Sequence, residues 1–83
     1  MASRQEREQL ARTNLHQALR DAKMKIVIES LELVGDGYRV LFRKGPLTHS
    51  ESGIDEGKLE DGSATDKIRR LVQKVKLAFG GNP

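Results

Sequence analysis

The chain has no cysteine and no tryptophan, and among its 83 residues only two prolines, two phenylalanines and one tyrosine. Without cysteine there is no disulfide staple, no thiolate chemistry and no sulfur-ligated zinc. With so few rings, the core rests on Leu, Val, Ile and Ala. A chain of this length makes one domain, spanning residues 1–83, that buries only about 60–65% of the surface its unfolded form exposes. Its stability is therefore modest, and pairing with a second copy (a homodimer) or another partner would add to it. No apolar run approaches the roughly 20 residues that span a bilayer. The opening, Met1-Ala2-Ser3-Arg4-Gln5-Glu6, is polar and charged, so it does not read as a signal peptide. A cytoplasmic protein is expected, with no membrane partner.

What the chain has is charge of both signs. Fifteen Lys and Arg against twelve Asp and Glu leave a net charge of +3, with a pI near 9.5. Mixed signs argue against full disorder. The mildly basic balance excludes an acidic mimic of DNA and permits nucleic-acid binding without requiring it.

Residues 3–23 read as a helix. Ser3 caps it with Glu6 three residues on, and Ala11, Leu15, Ala18, Leu19 and Ala22 form an apolar stripe. Residues 25–43 read as a β-hairpin, with strands at Lys25 to Val34 and Tyr38 to Arg43. Asp36-Gly37 is the preferred two-residue turn, which sets Leu33 opposite Val40, Leu31 opposite Phe42 and Glu29 opposite Lys44. Leu31, Leu33, Tyr38 in part, Val40 and Phe42 then share one face. The run Ile26-Val27-Ile28 means either a strand start buried on both faces or a bulge near Glu29-Ser30.

Residues 45–62 form an acidic, glycine-rich segment with five of the twelve acids. It reads as a loop, or as one hiding a short third strand around Lys58-Leu59-Glu60. Residues 63–79 read as an amphipathic helix with Ile68, Leu71, Val72, Val75 and Phe79 on one face. The expected fold is a small α+β domain: helix, antiparallel hairpin with or without a third strand, helix, both helices packed on one face of the sheet.

No grouping promises catalysis. His16 and His49 are solitary, Ser and acidic residues do not cluster, and no enzyme activity, cofactor or metal is expected. The acids of 45–62 do not alternate as calcium ligands do. Gly53 to Leu59 falls short of a phosphate loop, since three residues rather than four precede Gly57-Lys58, and Leu59 stands where Ser or Thr is needed.

The last helix carries the one suggestive pattern. Lys67, Arg70 and Lys74 lie on one flank and Arg69 and Lys76 on the other, five cations to the single acid Asp66. Such a row can neutralise successive phosphates. A solvated helix face is the plain alternative. No aromatic interleaves the row, so base stacking is not part of it. Arg39 and Arg43 of the hairpin are further candidates for the same surface. Leu10 and Leu77 project away from their helices' apolar stripes and are candidate protein contacts. The acidic segment, set in a basic chain, reads either as a solvated loop or as a shield over the cations.

The element order resembles that of the double-stranded-RNA-binding domain, which runs helix, three strands, helix and opens its last helix with lysines. Here that opening is Ala64-Thr65-Asp66-Lys67. It is similar also to the head–tail joining protein W of lambda-like phages, in its helix–hairpin–helix order and in Arg4-Gln5-Glu6 and Leu15-His16; the long acidic segment departs from it. The expectation is a non-enzymatic module that contacts nucleic acid or a nucleoprotein through its basic last helix. The alternative is a protein-binding adaptor or inhibitor of the phage accessory type.

Overall fold

The computed structural model describes residues 3–35, 37–61 and 65–80. Helix α1 (Arg4–Asp21) starts at the cap foreseen: the Ser3 hydroxyl accepts from the Glu6 amide at 3.2 Å and donates to the Glu6 carboxylate at 3.3 Å. The helix ends at Asp21, short of Lys23. Lys23 adopts a left-handed conformation (φ +56). The amides of Lys23 and Met24 donate to the carbonyls of Arg20 and Leu19 at 2.9 and 3.1 Å. This is a Schellman closure, with Met24 buried beside it.

Three antiparallel strands follow in the order β1 (Val27–Val34), β2 (Gly37–Lys44), β3 (Leu47–Asp55). The first hairpin turns two residues away from the expected register. Leu33 pairs with Tyr38, Leu31 with Val40 and Val34 with Gly37, with Gly35 at φ +57; Asp36 of the expected turn lies outside the described residues. The reason is the third strand. A Cβ on Gly37 would stand 2.6 Å from the Ile54 carbonyl oxygen, so this glycine is needed inside the sheet, where β3 comes close. Because side chains alternate with period two, a shift of two preserves the inward face. Leu31, Leu33, Tyr38, Val40 and Phe42 are all buried, Tyr38 completely.

The bulge alternative holds at the start of β1. The register slips between Ile28 and Ser30, Ile26 is buried and Val27 is 51% exposed. Glu29 lies at the slip, so the expected ladder position opposite Lys44 is not formed, and its carboxylate meets Arg43 at 2.9 Å.

Residues 47–60 of the acidic segment are not a loop. Gly45-Pro46 connects Lys44 to its partner Leu47, β3 runs to Asp55, and a short helix α2 (Glu56–Glu60) follows, capped by Asp55. The third strand is therefore at 47–55, and Lys58-Leu59-Glu60 is helical with Leu59 fully buried. Strand β3 escapes the apolar-alternation signal because its inward positions opposite Phe42 and Val40 are His49 and Glu51.

Helix α3 (Thr65–Ala78) buries Ile68, Leu71, Val72 and Val75, with Phe79 just beyond it. Its expected start at Ser63 lies outside the described residues. α1 lies beside β1, where the Glu8 carboxylate accepts from the Leu33 amide at 2.7 Å. α3 reaches β3: the Phe79 ring meets the His49 ring edge-on at 6.0 Å, and Lys74 Nζ lies 3.2 Å from Glu51. Both helices cover the same face, which makes the chain a compact α+β domain as expected. The first half of α3 (Ile68, Arg69, Val72) lies beside the second half of α1 (Gln17, Ala18, Asp21) across a groove.

Two substitutions test these backbone arguments. Lys23→Gly removes the strain of a left-handed lysine and should raise stability by about 1 kcal/mol. Gly37→Ala should cost about 1–3 kcal/mol, because β3 must move away. Urea unfolding of both variants measures the difference.

Candidate nucleic-acid interface

The structure divides the expected cations between two surfaces. Lys67, Arg69, Arg70 and Lys74 are exposed and Lys76 is half-buried along α3. Lys74 points to β3 and is paired with Glu51. Arg69 lines the opposite flank, in a groove of about 410 Å³ between α1 and α3 that also holds Gln17, Asp21 and Val72. Among the described residues, Lys67, Arg69, Arg70 and Lys76 have no ion-pair partner. Arg39 and Arg43 alternate with the buried Tyr38, Val40 and Phe42, so they stand on the other face of the sheet, across the core from α3. Each is taken by a neighbour on β1: Arg39 by Glu32 at 3.0 Å and Arg43 by Glu29 at 2.9 Å. These exposed pairs contribute at most about 1 kcal/mol each, but they neutralise that face. The structure does not join Arg39 and Arg43 to the α3 row.

Leu10 and Leu77 are exposed, at 48% and 72%. They sit on different helices, Leu10 in the first half of α1 and Leu77 in the last turn of α3.

The acids of 45–62 are mostly engaged in holding the fold. Arg7 on α1 donates to both oxygens of Glu60, through Nε and Nη2 at 3.0 Å each, and also to Glu56. The buried Tyr38 hydroxyl donates to Glu60 at 2.8 Å. The bonds from Arg7 hold the Glu60 carboxyl below its usual range; burial works the other way, and Tyr38 adds to the lowering. Burial, helped by that carboxylate, raises the Tyr38 pKa. The Asn14 side chain caps α2 by donating to the Leu59 carbonyl at 2.8 Å. At Glu51, burial would raise the pKa, but hydrogen bonds from His49 and Lys74 outweigh it and lower it. Glu51 covers Lys74, whereas Glu56 and Glu60 turn away to α1.

Two groups went unnoticed in the sequence. Arg12, Arg20, Lys23 and Lys25 carry no ion pair among the described residues and belong to α1 and its exit. The i, i+4, i+8 series Arg12, His16, Arg20 was the available signal. Of the acids, Glu56 and Glu60 lie at the start of α1, where Arg7 holds them. The second group is His49-x-Glu51, two residues apart on one strand face, with Nε2 and Oε1 at 2.7 Å. Among the described residues no cluster of three or more His, Asp or Glu side chains is arranged to hold a metal ion. No described helix is long and apolar enough to cross a membrane.

Comparison with protein-family models, with curated proteins and with solved structures finds no match. The three strands depart from the helix–hairpin–helix order of the phage joining protein. They agree with the element order of the double-stranded-RNA-binding domain, apart from the added α2.

The Glu60 pairing has a pH signature. Its folded-state pKa is lowered, so its stabilising effect is present above the unfolded value of about 4.3 and is lost as pH falls through the folded value. Arg7→Met should therefore lower the melting temperature clearly at neutral pH. The gap to wild type should shrink below about pH 4, as read by thermal melts across the acid range.

Proposed function

We propose that the protein is a non-enzymatic, cytoplasmic binding module that holds the phosphate backbone of nucleic acid, free or within a nucleoprotein. It does so with the outward side of α3 and the carboxy-terminal half of α1. One observation carries this reading: how the cations are shared out. Those of the bare sheet face and of the start of α1 are matched with carboxylates, whereas Lys67, Arg69, Arg70 and Lys76 on α3, and Arg12, Arg20, Lys23 and Lys25 on α1 and its exit, have no ion pair among the described residues. Cations kept apart from carboxylates are the ones able to release counterions from a polyanion. The rows have no aromatic partner, so the binding is to backbone rather than bases.

Leu77 supports the adaptor or inhibitor reading as the second choice, since it is 72% exposed on the same outward side. A protein partner seated there would bury it and tolerate salt.

Fluorescence anisotropy with labelled duplex DNA, single-stranded DNA and RNA tests both readings. Binding at low salt should fall steeply as salt rises. Lys67→Glu with Arg70→Glu should weaken it at least tenfold and flatten the salt slope by about two, at roughly 0.9 per lost contact on duplex DNA. Circular dichroism should be unchanged, because both side chains are exposed. No anisotropy change with any of the three at low salt would exclude the nucleic-acid reading. Salt-tolerant capture of a protein partner, lost in Leu77→Asp, would establish the adaptor reading.

A further inference from the structure

We propose that β3 is a dimerisation strand: two copies pair β3 with β3 antiparallel about a twofold axis at Ser50, making one six-stranded sheet. This inference is independent of the nucleic-acid reading.

The sheet has two edges, and they are treated differently. On the β1 edge, the outward amide of Leu33 is capped by Glu8 at 2.7 Å. On the β3 edge, the direction of the main chain follows from the ladder. Lys44 and Leu47 flank a two-residue connection and so exchange hydrogen bonds; the alternation of an antiparallel ladder then turns Leu47, His49 and Glu51 toward β2 and Thr48 and Ser50 outward. No side chain or other segment among the described residues bonds to the main chain of Thr48, Ser50 or Ser52. An edge of this kind is a template for another strand. Residues 47–55 contain neither lysine nor proline, two of the residues that usually block such pairing.

The strand is also complementary to itself. With Ser50 opposite the partner's Ser50, Thr48 meets the partner's Ser52, and these hydroxyls line the bare face. On the helix side, His49 meets the partner's Glu51, and Glu51 meets the partner's His49. An inward charge on an edge strand ordinarily discourages pairing, because a second strand would bury it unmatched. In this register each carboxylate meets an imidazole. His49 and Glu51 would form non-hydrogen-bonded pairs, the class whose side chains approach most closely. Within one chain the two already lie 2.7 Å apart, and Lys74 holds the other Glu51 oxygen. The joined rim is then a ring of two imidazoles and two carboxylates, closed outside by two lysines. Both α3 helices fall on the same side of the joined sheet, which doubles the cationic surface.

Sedimentation equilibrium from micromolar to millimolar protein, without nucleic acid, should show the mass rising to twice 9.3 kDa. Ser50→Pro removes an outward amide that the fold does not use, and proline is accepted at such edge positions. Ser50→Lys keeps the amide but opposes two like charges at the axis. Each should weaken self-association at least tenfold with unchanged circular dichroism. The Ser50→Cys variant should cross-link under mild oxidation, since facing Cα atoms about 5.5 Å apart lie within disulfide range. The Thr48→Cys variant, in which the opposite residue is Ser52, should not. A mass that stays monomeric throughout overturns the proposal. So does a dimer that survives in whichever Ser50 variant remains folded, or a Thr48→Cys variant that cross-links as fast as Ser50→Cys.

Discussion

The carboxylate of Glu60 is where this molecule closes. It receives the guanidinium of Arg7 from α1 and the hydroxyl of Tyr38 from β2, so a single side chain on a five-residue helix joins both layers of the fold. Tyr38 is among the largest fully buried side chains, and a buried hydroxyl needs a partner. Providing it fixes α2 against α1 and the sheet. With α2 fixed, Leu59 is inserted into the core, and the chain before it must run along β2 with Ile54 opposite Tyr38. The third strand and the entry to α3 follow from that placement.

The features legible in the sequence were those that depend on periodic burial. The stripe of α3, the cap at Ser3, the inward face of the first hairpin and the layering of helices on that face all follow from apolar spacing. The bulge was visible as one of two readings of Ile26-Val27-Ile28. Strand β3 was not legible, because a strand that turns His49 and Glu51 inward lacks the alternation that marks a strand. Its partners are distant in sequence: Lys74 for Glu51 and Phe79 for His49. The turn was misplaced for a related reason. Asp-Gly is a strong local signal, but Gly37 is claimed by a backbone contact with Ile54 that no local rule contains. The candidate site was half legible. The α3 row could be counted from spacing, but the neutralisation of Arg39 and Arg43 by cross-strand glutamates depends on a register that was two residues off.

Charge is arranged in this molecule by layer. The bare sheet face mixes its signs in neighbouring pairs. The helical layer pairs Arg4, Arg7 and Lys74 with carboxylates and leaves Lys67, Arg69, Arg70 and Lys76 of α3 and Arg12, Arg20, Lys23 and Lys25 of α1 and its exit without an ion pair among the described residues. Cations late in a helix, such as Arg20 and Lys76, also suit its dipole. The row alone could not separate that role from the proposed binding of a polyanion; the absence of carboxylate partners at Lys67, Arg69 and Arg70 among the described residues is what favours the second.

The bond between Arg7 and Glu60 spans 53 positions of the chain. Closing a contact of such long range costs loop entropy that local contacts do not. While the chain is being synthesised, α1 and the first hairpin emerge before the residues that fasten them. Until Glu60 emerges, the Tyr38 hydroxyl and the Arg7 guanidinium lack the partner that joins them in the folded chain. The stretch that leaves the ribosome after them therefore acts as the clasp: a truncation just before α2 would leave most of the secondary structure encoded and none of it locked.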